Sequence, residues 1–200
     1  EHTLVVSPQQ ISLQSPRRDS ALILDLACGN NKVAGAYGID LNPGPGVDVV
    51  ADVGDDLPIR TGSVHEVHAY NILEHFVDFI PLMREMHRVL RIDGRLVIRV
   101  PHYSSRHAWL DPTHKRCFGL RTFDYFSENH HFGYYFDFHF DLIQAELRVT
   151  ASDTPPWPLS TLFKLYAGII NRLTPLYPGL FERFAYLIGY DELIIELKQA

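Results

Sequence analysis

Short apolar runs along the first half of the chain predict a set of buried strands. Residues 21–26 form a mostly apolar run that ends in a glycine turn, which is typical of a strand buried on both faces. Two further runs, 36–40 and 47–52, each end on an aspartate. With 64–71 and 95–100 these runs give five predicted strands.

Between the last two predicted strands, the apolar spacing changes to that of a helix. Leu82, Met86, Val89 and Leu90 fall on one helical stripe. Asp78 can cap the start of this helix, Pro81 is tolerated in its first turn, and Gly94 follows its end. Strands that alternate with helices indicate right-handed crossovers and a mostly parallel sheet, which binds ligands beyond the carboxyl ends of its strands.

The second half of the chain has a different character. Residues 102–141 are rich in aromatic and acidic residues and hold six of the eleven histidines. Runs at 138–150 and 192–197 predict strands that close the sheet as an antiparallel edge. Between them, the apolar stretch 159–188 is helical in pattern and is interrupted by Pro175 and Pro178.

These patterns predict one α/β domain, a Rossmann-like, mostly parallel sheet of about seven strands with flanking helices and an apolar helical cap. The domain spans 21–200, with an acceptor-side segment at about 102–140 and the cap at about 159–188. Residues 1–20 form a lead-in segment with one short strand at 3–6. Three interpretations of the cap are open: a core helix pair, a homodimer face, or a surface that contacts lipid or a lipid-linked acceptor.

Charge, cysteine content and hydropathy limit which partners the protein can bind and in which cellular compartment we expect it. A formal net charge of -6 argues against a broad nucleic-acid interface, which normally needs a basic face. Cys28 and Cys117 form no CxxC pair, which excludes a disulfide scaffold and a cysteine-built zinc site. Without a signal peptide or a long apolar run, we expect a cytoplasmic protein.

Three consecutive strand ends carry groups suited to a nucleotide-like ligand. The turn at Gly29 allows close backbone approach, but the next glycine is Gly35, so the G-x-G-x-x-G pattern of NAD sites is missing. Asp40 is suited to accept hydrogen bonds from ribose hydroxyls, and Asp52 from an adenine amino group. Each aspartate alone is equally consistent with capping a turn, so the argument rests on the ordered combination.

Five ordered motifs in this half resemble the type 11 SAM (S-adenosylmethionine)-dependent methyltransferases of class I. They lie at 24–30, at 38–42, at 51–52 with Leu57-Pro58 and Ser63, at 71–75 with Leu73-Glu74-His75, and at 88–94 with Arg88-Val89-Leu90. Two departures stand out within the resemblance, which covers about residues 21–101. Asn30-Asn31 replaces the second glycine of the first motif, and the short interval from Gly29 to Gly38 leaves room for only a stub of the first helix.

The resemblance implies SAM as the cofactor and assigns its contacts by position. Gly29 and its neighbours would hold the methionine part, Asp40 the ribose, and Asp52 with Val53 the adenine, while Asn71 would close the site. The implied cofactor site comprises Asp25, Ala27, Cys28, Gly29, Asp40, Leu41, Asp52, Val53 and Asn71.

The acceptor side offers candidate bases. His102, His107 and His114 have the side-chain chemistry of a general base for a hydroxyl acceptor, and Asp111 is suited to orient one of them. The same His/Asp cluster at 102–114 is the basis for an alternative metal site, although its spacing matches no known metal motif and we assign no metal ligand. The aromatic residues between 123 and 140 favour core and lid packing over a binding cage.

The sequence therefore predicts a SAM-dependent methyltransferase that acts on an oxygen or nitrogen of a small-molecule or glycan-like acceptor, in an enclosed site. Two alternatives stay open. One is a SAM-binding partner or sensor protein without catalysis, and the other is a metal-dependent enzyme that uses the 102–114 cluster. We expect no nucleic-acid partner.

Overall fold

Seven strands form one sheet in the order β3-β2-β1-β4-β5-β7-β6. The computed structural model describes residues 21–150 and 158–200. The strands are β1 (Ile23–Leu26), β2 (Tyr37–Asp40), β3 (Val49–Val50), β4 (Val64–Tyr70), β5 (Leu90–Pro101), β6 (Phe140–Arg148) and β7 (Glu192–Gln199). The first five run parallel, and β7 lies antiparallel between β5 and β6. The predicted parallel sheet with an antiparallel edge is confirmed.

The strand order reverses between β1 and β4, at the centre of the sheet. The chain builds outward from β1 through β2 and β3, then returns to β4 on the other side of β1. Leu24 and Leu26 of β1 are fully buried, as are Val67 and Ala69 of β4, which explains the apolar character of these runs. A ligand crevice is expected at this reversal, beyond the carboxyl ends of the two strands.

The predicted helix is α1 (Ile80–Val89), and it buries Leu82, Met86 and Val89 against the sheet. Asp78 accepts the Ile80 amide at 3.0 Å, although the N-cap position itself is Phe79. The C-terminal boundary differs from the prediction. Leu90 and Gly94 both belong to β5, because Leu90 leaves the helix in extended conformation and pairs with Val64.

Arg88 of α1 ties this helix to the connection between β3 and β4. Its guanidinium donates to the carbonyl oxygens of Leu57 (3.2 Å) and Ile59 (2.9 Å) and to the Glu85 carboxylate (2.6 Å). Glu85 in turn accepts the Leu57 amide at 2.7 Å. Arg88, the arginine of the fifth motif, therefore links α1 to the connection between β3 and β4. It does not belong to the strand ends that border the ligand crevice.

The second half contributes α2 (His107–Leu110), α3 (Leu159–Leu173), α4 (Pro178–Arg183) and α5 (Ala185–Ile188). One face of α3 packs on the core through Phe163, Tyr166 and Ile170. Its opposite face exposes Leu162 by 63% and Leu165 by 61%. Helix α3 therefore packs on the core along one face and exposes apolar residues elsewhere, and the core helix pair, the dimer face and the lipid contact all stay predictions. No described helix is long and apolar enough to cross a membrane.

Two further predictions concern connections and termini. Residues 27–36, between β1 and β2, form turns and contain no helix, so even the expected stub is missing there. The predicted lead-in segment and its strand at 3–6 lie outside the described residues. Of the aromatic residues between 123 and 140, the phenylalanines Phe123, Phe126, Phe138 and Phe140 are buried, whereas Tyr125, Tyr134 and Tyr135 are exposed.

Candidate active site

The glycine loop after β1 is shaped by groups beneath it. Ala27 and Gly29 both have positive φ, 54° and 51°, which turns the chain sharply at the strand end. The Asp25 carboxylate, in a residue only 2% exposed, accepts the Val33 amide at 2.7 Å. Burial raises the pKa of Asp25 above its ordinary value, against the opposing effect of this hydrogen bond. Asp25 thus positions the loop from below.

Asp40, at the end of β2, holds the same loop from the side. Its Oδ2 accepts the Gly29 amide at 2.9 Å, and its Oδ1 accepts the Asn42 amide at 2.9 Å. A carboxylate has about four acceptor positions, so both oxygens retain lone pairs for a ligand's hydroxyl groups. The predicted loop residue and the predicted ribose residue are therefore in direct contact.

The loop after β1 packs closely against β2 at Gly38. A Cβ on Gly38 would lie 2.4 Å from the Gly46 carbonyl oxygen and 2.6 Å from Cys28 Sγ, so only glycine fits there. The Cys28 side chain is buried under the loop, within 3.6 Å of that same carbonyl oxygen. Asp48 accepts the Gly38 amide at 2.7 Å and pairs with Lys32 at 2.6 Å, and these contacts lower the Asp48 pKa.

The third strand end presents Asp52 and its neighbours. The Asp52 side chain is exposed, and its Oδ1 accepts the Gly54 amide at 2.8 Å. Val53 buries its side chain, so its backbone is the part that can meet a ligand. Leu41, just beyond Asp40, exposes 62% of its surface and offers an apolar contact at this edge. Because Leu41 and Asp52 are open to solvent, the predicted enclosure of the site stays a prediction.

Asn71 completes this edge from the end of β4. It adopts φ of 51°, and its amide donates to the Arg99 carbonyl at 2.7 Å. Ala27 and Asn71 are two of the three non-glycine residues with positive φ in the described part of the chain. They lie at the ends of adjacent strands, and such strained backbone tends to cluster at functional sites.

The residues at this edge fit the SAM that the sequence implies. A Cβ on Gly29 would meet no heavy atom within 4 Å, so the loop surface is open to a ligand. Asp40 carries hydrogen-bond acceptors beside that opening, and Asp52 carries them just beyond β3, the strand next to β2, as the ribose and adenine of a nucleoside require.

On the acceptor side, the structure does not support a base role for His102. The residue is fully buried, and its ring packs against Tyr103 and Tyr190. Its Nδ1 lies 2.8 Å from Ser104 Oγ, and its Nε2 lies 3.5 Å from the Glu182 carboxylate. Burial lowers the His102 pKa, while Glu182 opposes that shift. His102 is therefore a buried residue between the end of β5 and α4.

The other predicted acceptor-side residues only partly come together. His114 Nε2 lies 3.8 Å from Asp111 Oδ2, so the two side chains are neighbours, but the distance is too long for a hydrogen bond. Asp111 also accepts the Thr113 amide at 2.8 Å and the Thr113 hydroxyl at 2.6 Å, and these bonds lower the Asp111 pKa. His107 begins α2, where its amide donates to Ser105 Oγ at 3.1 Å. The predicted four-residue cluster is therefore split, with His102 and His114 in different surroundings.

Sequence reasoning gave no role to Glu74 and His75, which lie beside His114. Both belong to the same 3-10 turn, Leu73–His75, which follows β4. The His75 and His114 rings pack edge to face with centroids 4.8 Å apart. Burial raises the Glu74 pKa from its ordinary range to about 7. An available signal was their position just after a strand end, on the edge that carries the cofactor motifs.

Comparison with known families agrees with this geometry. A family model described as a methyltransferase domain matches residues 22–98, which contain every cofactor motif. Residues 22–98 of the chain therefore match the methyltransferase-domain family that their motifs resemble. The expectation of SAM as its cofactor is confirmed with it. A search of curated protein sequences finds no match.

Solved structures share the fold of this methyltransferase domain at low sequence identity. A SAM-dependent methyltransferase from Archaeoglobus fulgidus is 18% identical, with a TM-score of 0.56 over 90% of this chain and 87% of that one. The [4+2]-cyclase SpnF is 16% identical, with a TM-score of 0.53 over 90% and 74%. Phosphoethanolamine N-methyltransferase 2 from Haemonchus contortus, solved with SAM, is 12% identical, with a TM-score of 0.51 over 92% and 50%. These identities show a shared fold alone.

Proposed function

We propose that this protein transfers a methyl group from SAM to an oxygen or nitrogen of a small-molecule or glycan-like acceptor. The observation that carries the proposal is the hydrogen bond between Gly29 and Asp40 inside the matched methyltransferase domain. It joins the glycine loop to a strand-end carboxylate at the reversal of strand order, where an α/β sheet binds its ligand.

We assign the cofactor contacts along this edge as follows. Gly29 and Ala27 hold the methionine part, with Asp25 and Cys28 supporting the loop from beneath. Asp40 accepts the ribose hydroxyls, and Asp52 with the Val53 backbone binds the adenine edge. Leu41 packs on the adenine face, and Asn71 closes the site from β4.

The acceptor meets the cofactor at the same edge of the sheet. Bound SAM would supply the methyl group of its sulfonium: the C–S bond breaks to leave the neutral thioether S-adenosylhomocysteine, the methyl group bonds to the acceptor atom, and the acceptor's proton passes to water. Such an in-line displacement depends mainly on positioning the two reactants. His114 and Asp111 lie beside the turn that follows β4, next to β1 in the sheet, and we assign the acceptor to this neighbourhood.

Calorimetric titration with SAM and with S-adenosylhomocysteine tests the cofactor half. We expect both to bind, with affinity strongly reduced in Asp40→Ala. Asp141→Ala is the matched control, because Asp141 is an exposed carboxylate on edge strand β6 whose ion pair with Lys198 spans 3.8 Å. If well-folded protein binds neither compound, the proposed function is wrong.

A SAM-binding protein without methyl transfer is the second candidate, since one protein of this fold is a [4+2]-cyclase. Formation of S-adenosylhomocysteine separates the two candidates. We expect it to accumulate when hydroxylated or amine acceptors, including sugars, are added to protein with SAM. Tight SAM binding with no turnover across such a panel would favour the non-catalytic role.

A further inference from the structure

One carboxylate and two imidazoles converge just beyond the carboxyl end of β4. Glu74, His75 and His114 each offer one potential ligand atom, and the three atoms lie within 4.8 Å of one another. Glu74 and His75 come from the turn after β4, while His114 comes from the loop after α2. The Lys115 amide donates to the Glu74 carbonyl at 2.7 Å, which holds the two segments together.

The Glu74 carboxylate has no hydrogen-bond partner among the described residues. Glu74 is 1% exposed, and neither carboxylate oxygen has a hydrogen-bond partner there. Burying a carboxylate without a partner costs several kcal/mol or forces it to take up a proton. A cation bound at the convergence point would supply the missing partner.

On both His75 and His114, Nδ1 makes the hydrogen bond and Nε2 does not. The Thr113 hydroxyl donates its proton to Asp111 at 2.6 Å, so it accepts from His75 Nδ1, which lies 2.8 Å from Thr113 Oγ1. His114 Nδ1 lies 3.3 Å from the Ala108 carbonyl oxygen, which can only accept. Both Nδ1 atoms therefore carry the proton, and both Nε2 atoms keep a lone pair. Metal-binding histidines are oriented in this way by neighbouring oxygen atoms.

We propose that Glu74, His75 and His114 bind a divalent transition-metal ion. Two imidazoles and one carboxylate suit zinc, iron(II), manganese or cobalt, whereas magnesium and calcium prefer ligand sets made of oxygen. Three protein ligands leave an open coordination position for a substrate or water. The sequence-based metal alternative at 102–114 shares only His114 with this set.

The role of the ion rests on the proposed function. β4 and β1 are adjacent in the sheet, so the ion would lie at the edge where the glycine loop holds the cofactor. Its open position would take an acceptor hydroxyl and lower the pKa of that hydroxyl. The ion would then replace a histidine base, because a ligating Nε2 has no lone pair left for a proton. This assignment makes hydroxyl compounds the acceptor class.

Cobalt(II) titration of metal-stripped, tag-free protein without SAM tests the site. We expect one ion per chain and visible d–d bands typical of nitrogen and oxygen ligands. Glu74→Gln, nearly isosteric, and His114→Ala are each expected to weaken binding by about tenfold or more. The matched control is His131→Ala, because His131 is an exposed histidine outside the cluster. Circular dichroism checks that each variant is folded.

Two results would overturn the metal site: no stoichiometric binding by folded wild type, or binding that survives in Glu74→Gln and His114→Ala as it does in His131→Ala. Because SAM is absent from this titration, its outcome is independent of the proposed function. Protein that binds cobalt but neither SAM nor its product would retain the metal site and lose the methyltransferase proposal. Protein that binds SAM and its product but not cobalt would retain the methyltransferase proposal and lose the metal site.

Discussion

The Gly29 amide donates to Asp40 Oδ2 at 2.9 Å, so the glycine loop and the strand-end carboxylate form one unit. The same carboxylate also accepts the Asn42 amide through Oδ1. Asp40 therefore has two tasks: it fixes the loop, and it presents its remaining lone pairs to a ligand. A change at Asp40 is expected to affect both tasks.

Asp40→Asn is expected to weaken SAM binding by about tenfold, or about 1.4 kcal/mol. The amide keeps one acceptor oxygen for either Gly29 or Asn42, but it loses the charge and the second acceptor. Calorimetry with SAM measures the effect. The Asp141→Asn variant should bind SAM as the wild type does. An unchanged affinity in Asp40→Asn would contradict the assigned ribose contact.

Gly38→Ala is expected to destabilise the protein by about 1–3 kcal/mol. The added methyl would lie 2.4 Å from the Gly46 carbonyl oxygen, so the β2 end must shift. Urea unfolding followed by circular dichroism gives the free energy. Gly168→Ala in α3 is the control, because a Cβ there meets nothing within 4 Å, and it should stabilise the helix by about 0.5–1 kcal/mol. Equal effects of the two substitutions would contradict the packing argument.

Arg88→Lys is expected to lower the free energy of unfolding by about 1–3 kcal/mol. Lysine cannot reproduce the fork that bonds Leu57, Ile59 and Glu85 together. Arg84→Lys on the same helix is the comparison, because its partner Asp137 is 73% exposed and such pairs contribute about 0–1 kcal/mol. Thermal unfolding of both variants measures the two losses of stability. A larger loss in Arg84→Lys than in Arg88→Lys would refute the structural role assigned to Arg88.

Stability is expected to fall as the pH drops below about 6.5, the pKa of an unfolded histidine. Burial against Phe138 and Phe140 lowers the His87 pKa, and the nearby His139 charge acts in the same direction while Asp137 opposes it. Because the folded pKa is depressed, the unfolded state binds more protons in this window. The contribution of neutral, buried His87 to the free energy of unfolding is therefore present above pH 6.5 and is lost towards lower pH.

His87→Leu isolates this contribution, because leucine keeps an apolar side chain between the two phenylalanines but does not titrate. Urea unfolding at several pH values between 7.5 and 5 should show a shallower decline for the variant than for wild type. A parallel decline of the two proteins would show that His87 does not contribute.

The sequence by itself determined the main strands, their mostly parallel arrangement and the edge of the sheet at which the predicted cofactor residues lie. Continuous apolar runs identify strands buried on both faces, and parallel strands bring their carboxyl ends to one edge. Gly29, Asp40, Asp52 and Asn71 could therefore be placed together from the order of their motifs. The boundary at Leu90 was missed because an apolar residue fits a helix stripe and a buried strand equally well.

The tertiary structure alone decided which histidines come together beyond the end of β4. His102 and His114 look alike in the sequence, yet one is sealed under α4 and the other lies against His75. It also placed Glu74, which belongs to the motif at 71–75, against a loop about forty residues later. Local pattern fixes which face of its own element a side chain occupies, whereas contacts between distant segments depend on how the elements pack together.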